Sequence, residues 1–184
     1  MSIVASPTDG IAPLTVTFTV NNGGDKDVTL LVGGSAGPGV AAGTEAAFAL
    51  TFNAPGTFPT TVNATDTAGN ITTRNVVIVV RDPVQMDLMF KATWSGMNDA
   101  LIAGDKTKAM SYLNDAAKVK YGPVFDVLMP RMAEIVASYT SVQKLDISNG
   151  IAEYTVNRTL DGVEYLFFIY FLEDGDGVWR IDSM

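Results

Sequence analysis

Residues 14–20 read Leu, Thr, Val, Thr, Phe, Thr, Val. Strict alternation places four apolar side chains on one face of a strand and three threonines on the other. Similar runs follow at residues 28–32, 48–52, 58–64 and 72–80, separated by Gly33-Gly34-Ser35, Ala54-Pro55-Gly56 and Ala68-Gly69-Asn70. Short strands at regular spacing with turn residues between them predict an antiparallel β-sandwich.

The period changes after Arg81-Asp82-Pro83. Pro83 disfavours helix at the residue before it, which makes residues 82–85 the expected linker. Met86, Phe90, Trp94, Met97 and Leu101 then recur at spacings of four, four, three and four, the apolar stripe of an amphipathic helix. Gly104 suits its end, and Asp105 is an N-cap for a second helix with Ala109, Tyr112, Leu113 and Ala116 facing inward. Pro123 and Pro130 each suit a first helical turn, so short helices are expected over residues 123–137. Period two returns at residues 142–147, 151–160, 163–173 and 178–183, joined by Ser148-Asn149-Gly150, Asp161-Gly162 and Asp174-Gly175-Asp176-Gly177. A two-residue turn at Asp161-Gly162 would pair Leu160 with Val163, Arg158 with Tyr165, Val156 with Phe167 and Tyr154 with Ile169. The pattern predicts two domains, residues 1–82 as an all-β sandwich and residues 83–184 as an α+β domain with helices packed on a curved antiparallel sheet.

Both halves resemble known families. Ser6-Pro7, Gly10-Ile11-Ala12-Pro13-Leu14-Thr15-Val16-Thr17-Phe18, Pro55-Gly56-Thr57-Phe58 and Asp66-Thr67-Ala68-Gly69-Asn70 resemble bacterial immunoglobulin-like domains of the PKD and related types over residues 3–81. That resemblance implies a spacer or adhesive module of exported and cell-surface proteins. Residues 86–184, with Ala103-Gly104-Asp105-Lys106 between two helices and a closing Gly177-Val178-Trp179-Arg180-Ile181-Asp182, resemble the cone-shaped NTF2-like (SnoaL-type) domains. This second resemblance implies a pocket between helices and sheet and a tendency to dimerise. The family holds isomerase-like, dehydratase-like and cyclase enzymes beside inactive members, so fold alone assigns no activity.

Composition removes many chemistries. The 184 residues include no cysteine and no histidine, which excludes disulfides, thiolate catalysis, Cys/His zinc sites and Ser-His or Cys-His dyads. A formal charge of −8 makes nucleic acid and anionic lipid poor partners. The longest apolar-rich run, residues 163–172, contains Glu164 and is about half the ~20 residues a spanning helix needs, so no membrane span is expected. Residues 1–7 lack a basic and apolar leader pattern, so the protein is expected either to be cytoplasmic or to be exported by a signal that is not in this chain.

Remaining candidates are few. The alternating carboxylates of Asp174-Gly175-Asp176-Gly177 lack the calcium-loop ligand pattern and read as a turn, and Asp25 and Asp27 read as solvated loop residues. The sequons at Asn63, Asn70 and Asn157 read as chance matches in threonine-rich strands. No metal, cofactor or catalytic residue is assigned. Side chains that could reach a pocket in the second domain are Tyr112, Tyr121, Asp126, Tyr154, Arg158 and Tyr165. Arg158 stands out, because Ala152, Tyr154, Val156 and Leu160 share its strand face, and a charge on an apolar surface requires an acid, an anionic ligand or water at the sheet's end.

Two functions fit. The first is a non-catalytic exported or cell-surface bacterial module, with a spacer or adhesive sandwich and a second domain that binds a small ligand or another protein. The alternative is a small-molecule isomerase, dehydratase or cyclase with a carboxylate base in the pocket. Residues 163–173 are apolar on both faces, Val163, Tyr165, Phe167, Ile169 and Phe171 on one and Leu166, Phe168, Tyr170 and Leu172 on the other, so the sheet's second face is expected to be covered, by a homodimer or, in the competing account, by the sandwich folding back over it.

Overall fold

The computed structural model describes residues 1–21, 29–34, 37–42, 47–148 and 150–184, with backbone pairing alone described for 29–34 and 37–42. The chain divides into two compact units, Met1–Pro83 and Val84–Met184.

Among the described residues the first unit contains eight strands: β1 Ser2–Ser6, β2 Asp9–Ile11, β3 Leu14–Asn21, β4 Thr29–Gly34, β5 Gly37–Ala42, β6 Ala47–Phe52, β7 Gly56–Thr65 and β8 Ile71–Arg81. They form a three-stranded sheet in the order β1-β3-β6 and a five-stranded sheet in the order β2-β8-β7-β4-β5. Alternation does the work predicted for it, since Leu14, Val16, Phe18 and Val20 of β3 all turn inward. They meet Val62 and Ala64 of β7 and Ile78 and Val80 of β8 from the other sheet, which makes the unit a β-sandwich around one core. The pattern gave no sign of β1, β2 or β5: β2 is three residues long and β5 reads Gly, Pro, Gly, Val, Ala, Ala, with no alternation to detect. Gly33 and Gly34, expected in a turn, belong to β4, while Ser35 lies outside the described residues. The Ala68-Gly69-Asn70 turn is closed by Asp66, whose carboxylate accepts from the backbone N–H groups of Ala68 and Asn70 and from the Asn70 side chain.

In the second unit α1 spans Pro83–Ile102 and buries Met86, Phe90, Trp94, Met97 and Leu101, the predicted stripe. Asp105 caps α2, Lys106–Ser111, by accepting from the Lys108 N–H at 2.9 Å. That helix stops sooner than expected: Tyr112 ends it, Leu113 bridges to Ile181, and Asn114 caps a separate helix, α3, Asp115–Leu128. Pro123 lies inside α3 and does not start a helix. The missing N–H is tolerated on an outward-facing turn, where water can take the Val119 carbonyl, because Val119 and Pro123 are both exposed. A single 3-10 turn, Met129–Arg131, holds Pro130 and leads into α4, Met132–Ala137.

A four-stranded sheet closes the chain in the order β12-β11-β10-β9, with β9 Tyr139–Ser148, β10 Ile151–Leu160, β11 Val163–Glu173 and β12 Trp179–Ser183. The β10–β11 register pairs Leu160 with Val163, Arg158 with Tyr165, Val156 with Phe167 and Tyr154 with Ile169, as the Asp161-Gly162 turn predicted. Both turn residues have positive φ, 51° at Asp161 and 79° at Gly162, the backbone of a tight hairpin that glycine tolerates best. The inner face of the sheet buries Ala152, Tyr154, Val156, Ile169, Phe171 and Ile181. Phe90 of α1 lies on it, with ring centroids 4.8 Å from Phe171, 5.0 Å from Trp179 and 5.7 Å from Tyr154. Toward the hairpin tip this cover ends, and Val163 through Phe168 are exposed on both faces of β11. On the outer face Tyr170 donates to Glu153 and Asn157 to Glu164, so polar pairs interrupt its apolar positions.

The expected fold class is corrected by this arrangement. The chain is mostly β: strands hold about half of it, and in sequence order two sheets come first, a helical segment lies in the middle and a four-stranded sheet follows. The sandwich stands in the first unit, but the cone-shaped NTF2-like α+β class expected after it does not describe the chain. The stripe of α1 suggests a larger helical layer than the unit holds: α1 and α3 have twenty and fourteen residues, but α2 and α4 have only six each, whereas β9, β10 and β11 have ten, ten and eleven.

Candidate binding site

Arg158 lies near the tip of β10, opposite Tyr165 on β11 and Tyr139 on β9, where an irregularity in the β9 pairing falls between Asn157 and Arg158. Its side chain is half-buried. The Nε–H donates to Ser138 Oγ at 2.6 Å, and Ser138, the residue that ends α4, donates its own hydroxyl proton to the Ile135 carbonyl. The serine thus presents a lone pair to Arg158. Glu134 contributes only distant attraction, since its carboxylate is held by Arg131 through contacts of 3.0 and 3.3 Å. Its pKa is lowered by the Arg131 hydrogen bond first and by Arg158 least. Among the described residues no carboxylate lies within ion-pairing distance of Arg158.

Beside Arg158 is a cavity of about 110 Å³. Trp94 of α1, Tyr139 at the start of β9, Val156 and Arg158 of β10, Phe167, Phe168 and Ile169 of β11, and Met184 line it. Trp94 and Tyr139 pack ring on ring at 5.7 Å, and burial raises the Tyr139 hydroxyl pKa, partly offset by the Arg158 charge. Val156 and Ile169 close the inner wall, whereas Phe167, 43% exposed, stands at the mouth. The site therefore joins an apolar, aromatic body to one fixed positive group, and neither Asp nor Glu is in its lining.

Of the six side chains singled out in the sequence, Arg158 alone lines the cavity. Tyr121 acts one step removed: its hydroxyl donates to the Met184 main-chain oxygen at 2.6 Å and accepts from the Met184 N–H at 2.9 Å, which holds that wall in place. Tyr154 is fully buried in the aromatic cluster, and burial together with its hydrogen bond to Asp87 raises its pKa far above the tyrosine range. Tyr112 packs on α1 at Gly96, Asp126 pairs with Lys106 at 2.6 Å on an exposed face, and Tyr165 is exposed near the hairpin tip. Sequence reasoning missed Tyr139, Ser138, Phe167 and Met184. Trp94 was recognised only as part of a helix stripe, and nothing in its spacing distinguishes a cavity wall from a core position.

The other candidates resolve into structure. Arg180 grips Asp174 at 2.6 Å and Asp176 at 2.9 Å, so the two carboxylates of the last turn are neutralised by a neighbour, and the Asp176 hydrogen bond is the main cause of the raised Arg180 pKa. Asp25 and Asp27 lie outside the described residues. Asn63, Asn70 and Asn157 use their side chains in hydrogen bonds to Thr73, Asp66 and Glu164. Among the described residues no group of acidic side chains is arranged to hold a metal ion, and no helix is long and apolar enough to cross a membrane.

No protein-family model matches the chain, and no curated protein matches it either. Among solved structures it is similar to one described as showing the basis for promiscuous specificity of carbohydrate-binding modules from the β-sandwich superfamily. The two are 12% identical with a TM-score of 0.38. The match covers 94% of this chain and 53% of that one, so the chain spans about half the length of the structure it matches. At that score the likeness transfers neither fold nor ligand.

Proposed function

We propose that the protein is a non-catalytic binding module whose second unit takes a small organic ligand in the cavity between Trp94, Tyr139 and the tips of β10 and β11. The observation that carries this reading is the lining itself, aromatic and aliphatic walls around a single guanidinium. Ligand sites commonly combine an apolar surface with a few polar groups that fix orientation. The cavity is smaller than the ~300 to 1,000 Å³ typical of drug-sized ligands, so the ligand is small. The β-sandwich serves as a spacer or adhesive element of an exported protein, a reading that rests on the sequence resemblance alone. A carboxylate-base enzyme finds less support, because Asp126 is engaged with Lys106 and Asp87 with Lys91 and Tyr154.

The test uses the two tryptophans as reporters. Indole N–H resonances of Trp94 and Trp179 are followed by NMR in the full chain while small aromatic and aliphatic compounds are added. Saturable shifts at Trp94 that leave Trp179 unmoved are expected. A Trp94 resonance unmoved by every compound contradicts the proposal.

A further inference from the structure

The surroundings of Arg158 say what kind of ligand the cavity suits. Resting on the binding-site reading above, we infer that the ligand is a small carboxylic acid bound as its anion, with the carboxylate on the guanidinium of Arg158 and an apolar body against Trp94, Phe167 and Ile169.

Contrast among the arginines motivates this. Arg81 pairs with Asp9, Arg131 with Glu134 and Arg180 with Asp174 and Asp176, all within 3.0 Å. Arg74 is exposed, where water solvates it. Arg158 is half-buried, yet among the described residues its one hydrogen-bond partner is the neutral hydroxyl of Ser138. Removing a charge from water without an opposite charge is unfavourable, so the site gains most from an anion.

Geometry narrows the choice. A guanidinium presents five N–H donors in a rigid planar fork that matches carboxylate oxygens two at a time. Ser138 occupies the Nε donor and, through its own bond to Ile135, fixes the plane of the group. The terminal Nη1 and Nη2 make no hydrogen bond among the described residues, so the end of the fork remains for a bidentate contact, the strong form of such pairs. The other lining side chains are apolar apart from the Tyr139 phenol and the Trp94 indole. A polyanion such as a phosphate ester would leave charge unmatched there. A monoanion with a flat or short apolar body leaves none.

Benzoate and its neutral, nearly isosteric amide, benzamide, are the probes. Each is titrated into the full chain with the Trp94 indole resonance as readout, in the wild type and in the Arg158→Gln and Arg158→Lys variants. The expected result is that benzoate binds at least about tenfold more tightly than benzamide, a preference lost in Arg158→Gln and partly kept in Arg158→Lys, whose point charge lacks the fork. Should Arg158→Gln fail to fold, the wild-type ratio and Arg158→Lys carry the test. Equal binding of the two probes overturns the carboxylate assignment while leaving the cavity as a binding site. Absence of any Trp94 shift with either probe, or with the wider compound set, overturns both.

Discussion

The Tyr154 hydroxyl donates to Asp87 Oδ1 at 2.8 Å, joining the buried inner face of β10 to the first turns of α1. Lys91 holds the other carboxylate oxygen at 2.9 Å. A tyrosine buried in an aromatic cluster needs a partner for its polar end, and here the partner is charged. Replacing Tyr154 by Phe is therefore expected to lower the unfolding free energy by about 1.5 to 3 kcal/mol, the range for hydrogen bonds to charged groups. Urea denaturation measures it, and a change within about 0.5 kcal/mol of wild type would show that water replaces the bond at no cost.

The same carboxylate gives a pH dependence. Burial is the largest single influence and raises the Asp87 pKa, but the hydrogen bonds from Lys91 and Tyr154 together with the charges of Lys91 and Lys144 outweigh it and hold the group below its ordinary 3.8. The unfolded chain then binds the proton more readily than the folded one. Asp87 contributes fully above its unfolded pKa of about 4, and the contribution is lost as pH falls through the lower folded value. The stability difference between wild type and Asp87→Asn is expected to shrink steadily as pH is lowered below about 4. A constant difference down to the acid transition would contradict the assignment.

Gly96 tests the packing of α1 on Tyr112. A Cβ at this position would lie 2.5 Å from the Tyr112 hydroxyl oxygen and 2.8 Å from the ring carbon that bears it. Alanine in place of glycine inside a helix ordinarily stabilises by about 0.8 to 1.0 kcal/mol. At Gly96 the wild-type background should reverse that sign, because the ring must move. In a Tyr112→Ala background the gain should return, and thermal unfolding of the four proteins reads the coupling.

Asn98 is buried on the same helix with its Nδ2 bonded to the Trp94 carbonyl and its Oδ1 without a hydrogen-bond partner. An unsatisfied acceptor in the core costs about 1 to 3 kcal/mol, so Asn98→Leu is expected to unfold at the same or higher denaturant concentration than wild type. A loss above about 2 kcal/mol would mean that Asn98 makes a stabilising interaction in solution.

How far the sequence was legible varies from element to element, and the differences have physical causes. The β10–β11 register was readable because Asp161-Gly162 fixes a two-residue turn and the strand period does the rest. The buried face of α1 was readable because Phe90, Trp94 and Met97 repeat at helical spacing. Pro123 misled, since a proline whose lost hydrogen bond faces solvent can sit within a helix that continues past it. The fold class is not legible because the apolar stripe of α1 signals a helical layer while the long strands β9, β10 and β11 hold more of the unit than such a layer implies. At the site, only Arg158 announced itself, as a charge on an apolar strand face. Trp94, Tyr139 and Met184 come from separate parts of the unit, and only packing brings them to it; the Tyr121 clasp on Met184 spans 63 positions that no local pattern connects.

The most direct measurement of the central claim is a crystal structure of the full chain grown with sodium benzoate. The account predicts ligand density in the cavity beside Trp94, with both carboxylate oxygens within hydrogen-bond distance of the Arg158 guanidinium and Ser138 still bonded to its Nε. Density found elsewhere on the protein, or a cavity closed by Phe167 with Arg158 turned to solvent, would contradict it.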